Sequence, residues 1–462
     1  MDPLSRDPEL TVDRLFEGID RSIAHILDRA LSGSDVTAQE AEALLGTSGR
    51  DLLATIATAD RLRHDTSGDI VTYVVNRNIN FTNVCIKGCG FCAFSRDFRE
   101  EEGYLLPEEE ILRRAREAWD LGATEVCIQA GLPPKMDGDL YIRLTRLLKE
   151  ALPEIHIHGF SPEEVLYGAI RSGRTIREYL AELKAAGVGS LPGTAAEILD
   201  DELRDRIAPG RIRTAQWIEV ITTAHELGIP TTSTMMYGHA ETPAHQARHL
   251  ILLRDLQRRS GGFTEFVPLS FVHTEAPMWR NNLVPGLRPG PTGMEVFRVH
   301  ATARIVLGRA IPNLQVSWVK EGPRLAQLLL AAGANDLGGT LINESISTAA
   351  GAGYGQLVPP AELRRLIRGA NRIPAERSTL YTLRRVFDGD ADDQPQALDL
   401  AAQEVGRFGS YHQLIRMEQY RYRHPRQPAP TSASDRGAPT SARDRGAPTG
   451  RLAEQAPAEQ VE

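Results

Sequence analysis

An α/β fold, a (β/α)8 TIM-type barrel, is what this sequence predicts, and three observations predict it. Short β-type runs alternate with amphipathic helical stretches from about residue 71 to 342. Eight such strands and seven intervening helices can be laid out there, the complement a barrel needs before its last helix. Glycines stand just past several helical stretches, at Gly122, Gly187, Gly228 and Gly333, where a left-handed residue ends a helix. An open doubly wound sheet is the competing architecture.

Residues 1–68 carry helical patterning and no strand signal, and read as an N-terminal helical extension. Within it Thr37, with Glu40 three positions on, has the form of a capping box. The barrel core is expected over 69–345, with strands at 79–83, 125–130, 155–160, 189–192, 231–237, 265–269, 315–319 and 336–341. Helices are expected between them at 107–121, 140–151, 175–186, 214–227, 243–259, 293–307 and 323–332. Residues 346–424 are expected to fold as a C-terminal extension packed on the barrel, with a helix over 359–370 that opens on proline. Beyond 425 the composition shifts to Pro, Ala, Ser and Gly, and residues 431–439 recur almost unchanged as 440–448. Such a segment buries too little apolar surface to offset its ordering entropy, so 425–462 reads as a disordered tail.

The 462 residues are 41% hydrophobic and 25% charged, an ordinary globular balance. A formal charge of −8 argues against a nucleic-acid-binding surface. There is no apolar run of membrane-spanning length and no apolar signal core near Met1. A cytoplasmic protein with no membrane partner is expected. Of four cysteines, three fall within eight positions, unlike a disulfide framework. The fourth, Cys127, lies in an apolar run and reads as a small core residue.

Cys85, Cys89 and Cys92 have C-x-x-x-C-x-x-C spacing, with Phe91 just before the last. A structural zinc site wants four Cys or His ligands, and this loop has three cysteines and no histidine; a remote His could complete one. A catalytic Cys–His pair needs one thiol. Three thiolates can hold three irons of a 4Fe-4S cluster and leave the fourth open to a small molecule. The triad directly follows the first predicted strand, and barrel active sites are built at the C-terminal ends of strands.

Triad, aromatic neighbour and position together resemble the radical S-adenosylmethionine (SAM) superfamily. The resemblance implies an open iron that chelates SAM, whose one-electron cleavage yields a 5′-deoxyadenosyl radical. Further segments narrow it: 78–85 (NINFTNVC), 92–94 (CAF), 125–129 (EVCIQ), 156–163 (HIHGFSPE), 191–199 (LPGTAAEIL), 235–242 (MMYGHAET), 317–323 (SWVKEGP) and 335–347 (NDLGGTLINESIS). They resemble the 5-amino-6-(D-ribitylamino)uracil–L-tyrosine 4-hydroxyphenyl transferases, the second-subunit family of FO synthase. That family implies cleavage of the tyrosine Cα–Cβ bond and transfer of the 4-hydroxybenzyl group to the aminouracil, a step in deazaflavin biosynthesis. It implies as partners a ring-closing FO synthase subunit 1 and an electron donor such as a flavodoxin or ferredoxin. Menaquinone-pathway radical SAM enzymes (dehypoxanthine futalosine cyclase, aminofutalosine synthase) share the 78–83 lead-in and the Cys-Ala-Phe ending. Where the family reads Gln-Gly-Gly-Leu, this chain has Gln129-Ala130-Gly131-Leu132, tolerable if Ala130 keeps a negative φ.

Candidate cofactor-binding residues are Phe91, Gly131, Ser161, Glu197 and Arg211. Gly131 would allow close backbone approach to SAM. Glu197 is similar to the position that holds the SAM ribose. Arg211 could reach the SAM carboxylate or lie on the surface. His158, along the third predicted strand, and Tyr237 and His239, at the end of the fifth, are candidate catalytic residues, with a satisfied core histidine as the plainer alternative for His158. Asn343 and Glu344 follow the last strand and are candidates to read the uracil edge. Lys320, one of five lysines, suggests a substrate contact or a buried ion pair with Glu321.

Overall fold

In the computed structural model, which describes residues 18–389 and 394–424, nine strands and the helices between them build an α/β protein. The expected disordered tail, 425–462, lies outside the described residues. The strands are β1 (Ile70–Val74), β2 (Asn76–Ile79), β3 (Glu125–Ile128), β4 (His156–Gly159), β5 (Thr231–Tyr237), β6 (Phe263–Ser270), β7 (Asp336–Gly339), β8 (Ile373–Arg377) and β9 (Leu383–Val386).

Helices open where the sequence supplies caps. Thr37 Oγ1 accepts from the Glu40 amide at 3.3 Å while Glu40 accepts from the Thr37 amide at 2.8 Å, so the expected capping box forms at Ala38–Leu45. The helix Ile176–Ala186 ends on Gly187 at φ 107°, whose N–H returns to Leu183 and Lys184. The proline-led helix is Pro360–Gly369. Helices Arg21–Leu31, Ala38–Leu45 and Gly49–Ser67 precede β1.

The parallel ladder divides into three sheets, β7-β1-β8-β9, β2-β3-β4 and β5-β6. All pairings are parallel except β8 with β9. Isolated parallel bridges stand at the junctions: Arg77 with Ile342, His158 with Ser190, Leu191 with Thr231, Phe266 with Leu314 and Gln315 with Asp336. The expected strand over 231–237 has those bounds, and 265–269 lies inside β6. Two expected strands are reduced to isolated bridges, 189–192 to those of Ser190 and Leu191 and 315–319 to that of Gln315, the second because a helix begins at Trp318. The first strand lies earlier than expected. It ends at Ile79, and 80–83 already turn into the cysteine loop.

β1, β8 and β9 go beyond the expected strands. β8, from the C-terminal extension, pairs with β1, Ile70 opposite Ile373 and Tyr73 opposite Glu376. This brings Arg377 against Asp336 at the start of β7, with Nε–Oδ2 2.5 Å and Nη2–Oδ1 3.0 Å. Both are buried, and Arg377 Nη2 also lies 3.5 Å from Glu265 on β6. A buried charge is tolerated only when paired, so this bidentate contact holds the extension against the strand starts. Replacing Arg377 by Met strands two buried carboxyl groups. We expect a loss of about 3–5 kcal/mol in urea unfolding; a loss under ~1 kcal/mol, the scale of an exposed pair, would refute that role.

Candidate active site

The cysteine loop leaves β2 through Asn80, Thr82 and Asn83, and these side chains take over the work of a ladder. Asn80 Nδ2 donates to Gln129 O at 2.8 Å, and Thr82 Oγ1 to Tyr104 O at 2.6 Å. Asn83 donates to Glu102 O at 3.0 Å and accepts from the Tyr104 amide at 2.9 Å. Short polar residues suit a segment whose backbone groups would otherwise be buried unpaired. Backbone bonds anchor the loop itself: Cys85 N to Arg96 O at 3.0 Å, Ile86 N to Leu132 O at 2.9 Å and Gly90 N to Ile207 O at 2.8 Å.

Cys85, Cys89 and Cys92 are free thiols and all line one cavity of about 390 Å³. Burial raises the Cys85 thiol above its usual range and pushes Cys89 up to about 11. Among the described residues no three His, Cys, Asp or Glu side chains converge as ligands of a single metal ion. A cluster that takes one thiolate on each of three irons asks for a wider donor set. Three thiols in one anchored loop facing an open cavity fit that demand.

Arg211 joins this loop to two carboxylates. Its Nη1 donates to Cys89 Sγ at 3.0 Å, Nη2 lies 3.1 Å from Glu197 Oε1, and Nε lies 3.7 Å from Glu163 Oε2. The guanidinium stacks on Phe91, 5.2 Å from the ring centre. Glu163 also takes the Ile212 amide at 2.8 Å and Lys87 Nζ at 3.1 Å. Arg211 is therefore no surface arginine. Glu197 reaches it from a left-handed backbone, φ 42°, close to Ala195 at φ 63°. Such values in non-glycine residues are held only by surrounding structure.

Gly131 lines the cavity where a Cβ would stand 2.3 Å from Val84 O. Ala130 is not among the residues with positive φ, and its amide donates to Glu164 Oε1 at 2.9 Å. The extra methyl is thus accommodated. Ser161 caps Pro162–Ser172 in a box with Glu164 and also lines the cavity.

His158 lines the cavity with Nδ1 2.7 Å from Ser190 Oγ, a hydroxyl shared with His156 Nε2 at 2.7 Å. Burial keeps both rings below the usual histidine range, His156 at about 4. Lys320 lines the cavity too, and makes no hydrogen bond or ion pair with any described side chain. Burial lowers its pKa, with Glu344 and Glu321 as the nearest opposing charges. The alternative of an ion pair with Glu321 is not realised; Glu321 instead accepts from Ser270 Oγ. Glu344 lines the cavity and accepts from the Ser347 amide at 2.9 Å.

Three candidates lie elsewhere. Thr232, Thr234 and Met236 of β5 face the cavity, so strand alternation turns Tyr237 away. Its hydroxyl accepts from Ser270 Oγ at 3.0 Å, and the side chain is fully buried. His239 is fully buried in the following turn, with Nε2 3.0 Å from Met236 O. Asn343 accepts from Arg77 Nη2 at 2.6 Å and donates to Phe408 O at 2.8 Å, facing a separate crevice. Sequence reading missed Glu125, Glu163, Glu265, Gln315, Arg377 and Thr379, which also line the cavity. A carboxylate opening an apolar strand, as at Glu125, was a usable signal; nothing local marks Arg377 or Thr379.

Comparison with known proteins follows the same lines. A model of the Radical SAM superfamily matches residues 79–253, and one of the CofH/MqnC C-terminal region matches 260–389. The 5-amino-6-(D-ribitylamino)uracil–L-tyrosine 4-hydroxyphenyl transferase of Methanothermobacter thermautotrophicus is 49% identical over 356 residues, 77% of this chain and 96% of that protein. The FO synthase of Mycobacterium leprae is 49% identical over 348 residues, 75% of this chain but 40% of that longer protein. Among solved structures, the hydrogenase maturase HydG of Carboxydothermus hydrogenoformans aligns at TM-score 0.60 and 15% identity, covering 78% of this chain and 80% of that one. Methylornithine synthase aligns at TM-score 0.56 and 18% identity, covering 75% and 95%. These last two speak for the fold alone.

Gly131→Ala places a methyl inside the contact distance of the Val84 carbonyl. We expect it to destabilise the protein by about 1–3 kcal/mol in thermal unfolding, the range of overpacking; an unchanged midpoint would mean the loop is not seated as described.

Proposed function

Because this chain belongs to the radical SAM superfamily, and within it to the family of 5-amino-6-(D-ribitylamino)uracil–L-tyrosine 4-hydroxyphenyl transferases, we propose that it joins the 4-hydroxybenzyl group of L-tyrosine to that aminouracil, breaking the tyrosine Cα–Cβ bond. The observation that carries the reading is the single cavity that brings the thiol triad, Glu197, Lys320 and Glu344 together. The cofactors are a 4Fe-4S cluster and SAM. When bound, they supply a carbon radical able to take a hydrogen atom from tyrosine.

Cys85, Cys89 and Cys92 would hold the cluster. Arg211, hydrogen-bonded to Cys89 Sγ, offsets negative charge there and holds Glu197 at the cavity edge. Glu197 and the Ala130–Gly131 backbone would bind SAM, with Ser161 and Phe91 alongside. Lys320, the cavity ammonium without a direct partner, would bind an anionic substrate group, and Glu344 would accept from a substrate N–H. His158, held below the usual histidine range by burial and oriented by Ser190, would hydrogen-bond the substrate. Tyr237, His239 and Asn343 would support the wall, not the chemistry.

The three sheets and their linking bridges are read as one parallel (β/α)8 barrel between an N-terminal helical extension (1–68) and a C-terminal extension (346–424). Bridges at every junction from β2 round to β7, and from Arg77 to Ile342, support this. The chain spans 96% of the M. thermautotrophicus transferase it matches and 40% of the M. leprae FO synthase. A ring-closing FO synthase subunit 1 is proposed as its functional partner. A flavodoxin- or ferredoxin-type protein would deliver the electron. Among the described residues no helix is long and apolar enough to cross a membrane; a cytoplasmic setting is proposed. The menaquinone alternative is not favoured: relatives at 48–49% identity are named as the transferase or FO synthase.

Anaerobically reconstituted protein with SAM and a reductant should turn over only when tyrosine and the aminouracil are both present. Turnover of a futalosine instead would reverse the assignment. Cys89→Ser should abolish 5′-deoxyadenosine formation. Lys320→Met should lower kcat/KM roughly tenfold or more, about 1.4 kcal/mol, with iron and sulfide content unchanged; unchanged kinetics would remove Lys320 from the substrate site.

A further inference from the structure

The cavity does not end beneath the cysteine loop. It continues to the opposite end of the strands, where Glu125 opens β3, Glu265 lies near the start of β6 and Gln315 bridges to the start of β7. Since a strand rises about 3.3 Å per residue, Glu125 lies roughly 13 Å below the Gln129 level of the mouth. Arg377 and Thr379, from the C-terminal extension, complete this floor, and His158 stands above it. The floor is polar, while Met236, Val267, Leu269 and Val319 line the cavity between the ends.

Its hydrogen-bonding capacity is only partly used. Glu125 Oε1 accepts from Asn76 Nδ2 at 2.8 Å, and Glu265 Oε2 accepts from the Tyr381 hydroxyl. Glu265 Oε1 and His158 Nε2 make no hydrogen bond within the described residues, though both side chains are more than nine-tenths buried. A buried polar atom facing a cavity without a partner favours a ligand that supplies one. The charge pattern narrows the class. The floor's cation, Arg377, is already held by both oxygens of Asp336, so no free cation awaits a carboxylate. An amino-acid end group is therefore disfavoured there. Carboxylates, an amide and a neutral imidazole suit several adjacent hydroxyl groups, each both donor and acceptor.

We propose that this floor seats the D-ribityl chain of the aminouracil, so that the uracil ring points up the cavity toward the cysteine loop. The assignment deepens the transferase reading and rests on it. Tyrosine, with one hydroxyl on an apolar ring, would occupy the apolar middle. The C-terminal extension thereby acts as a specificity element, since it carries Arg377 and Thr379.

The test compares the natural aminouracil with 5-amino-6-(methylamino)uracil, which keeps the ring and lacks the polyol. Wild-type enzyme should prefer the natural substrate by roughly 100-fold in kcat/KM, and Gln315→Leu and Thr379→Val should each cut that preference about tenfold. They should do so by raising KM for the ribityl substrate, leaving KM for tyrosine and for the analogue unchanged. Equal use of the two uracils by wild type, or equal losses on both in the variants, overturns the proposal. A rise in tyrosine KM alone would place tyrosine at the floor and also overturns it. Should wild type form no coupled product, the transferase reading fails. Calorimetric binding of the two uracils to the cluster-loaded protein then decides the subsite separately: tighter binding of the ribityl compound, weakened by the same variants, supports it, and equal binding or none refutes it.

Discussion

A half-buried guanidinium is the constraint on which the catalytic end depends. Arg211 touches Cys89, Glu197, Glu163 and the face of Phe91. Both carboxylates are buried and would lose this opposing charge without it, and the arginine would lose its acceptors without them. That mutual requirement ties together three segments far apart in sequence: the cysteine loop, the turn with left-handed Ala195 and Glu197, and the helix Pro162–Ser172. An Arg fork can serve several acceptors at fixed angles, which a lysine cannot. The thiol loop is thereby tied to the rest of the cavity wall by charge-assisted contacts.

The far end obeys the same rule with other residues. Arg377 and Asp336 form a buried bidentate pair that holds β8 beside β1 and closes the cavity below. The cavity therefore has a mouth of thiols and a floor of hydrogen-bonding groups, with an apolar stretch between. Three ligands of different chemistry can sort themselves along such an axis: SAM at the thiols, an aromatic amino acid in the middle, a polyol below. Lys320 and Glu344, on the wall, add charged groups to the polar contacts that Asn78, Thr234 and Ser317 offer there.

What the sequence made legible follows from how local each signal is. The cysteine spacing, the Thr37 box and the strand 231–237 depend on neighbours within a few residues; the box and the strand form as expected, and the three thiols line one cavity. Glu197 was reached through family resemblance and Arg211 as a cation that could reach SAM, and the structure brings them together. Tyr237 was placed at the right strand end and on the wrong face, although the parity of Thr232, Thr234 and Met236 already turned it outward. Asn343 went wrong because its partners, Arg77 and Phe408, are distant in sequence. Two of the eight expected strands are isolated bridges, since pairing is decided by neighbours a strand cannot name. The floor was invisible for the same reason: Arg377 and Thr379 arrive from a segment whose local pattern says only that it folds.

Isotope tracing tests the central claim most directly. Tyrosine labelled in the aromatic ring should deliver its label to the aminouracil product, while label at Cα leaves in a separate two-carbon fragment, with one 5′-deoxyadenosine formed per coupled product. Retention of the Cα label in the uracil adduct, or 5′-deoxyadenosine formed with no ring label transferred, would contradict it.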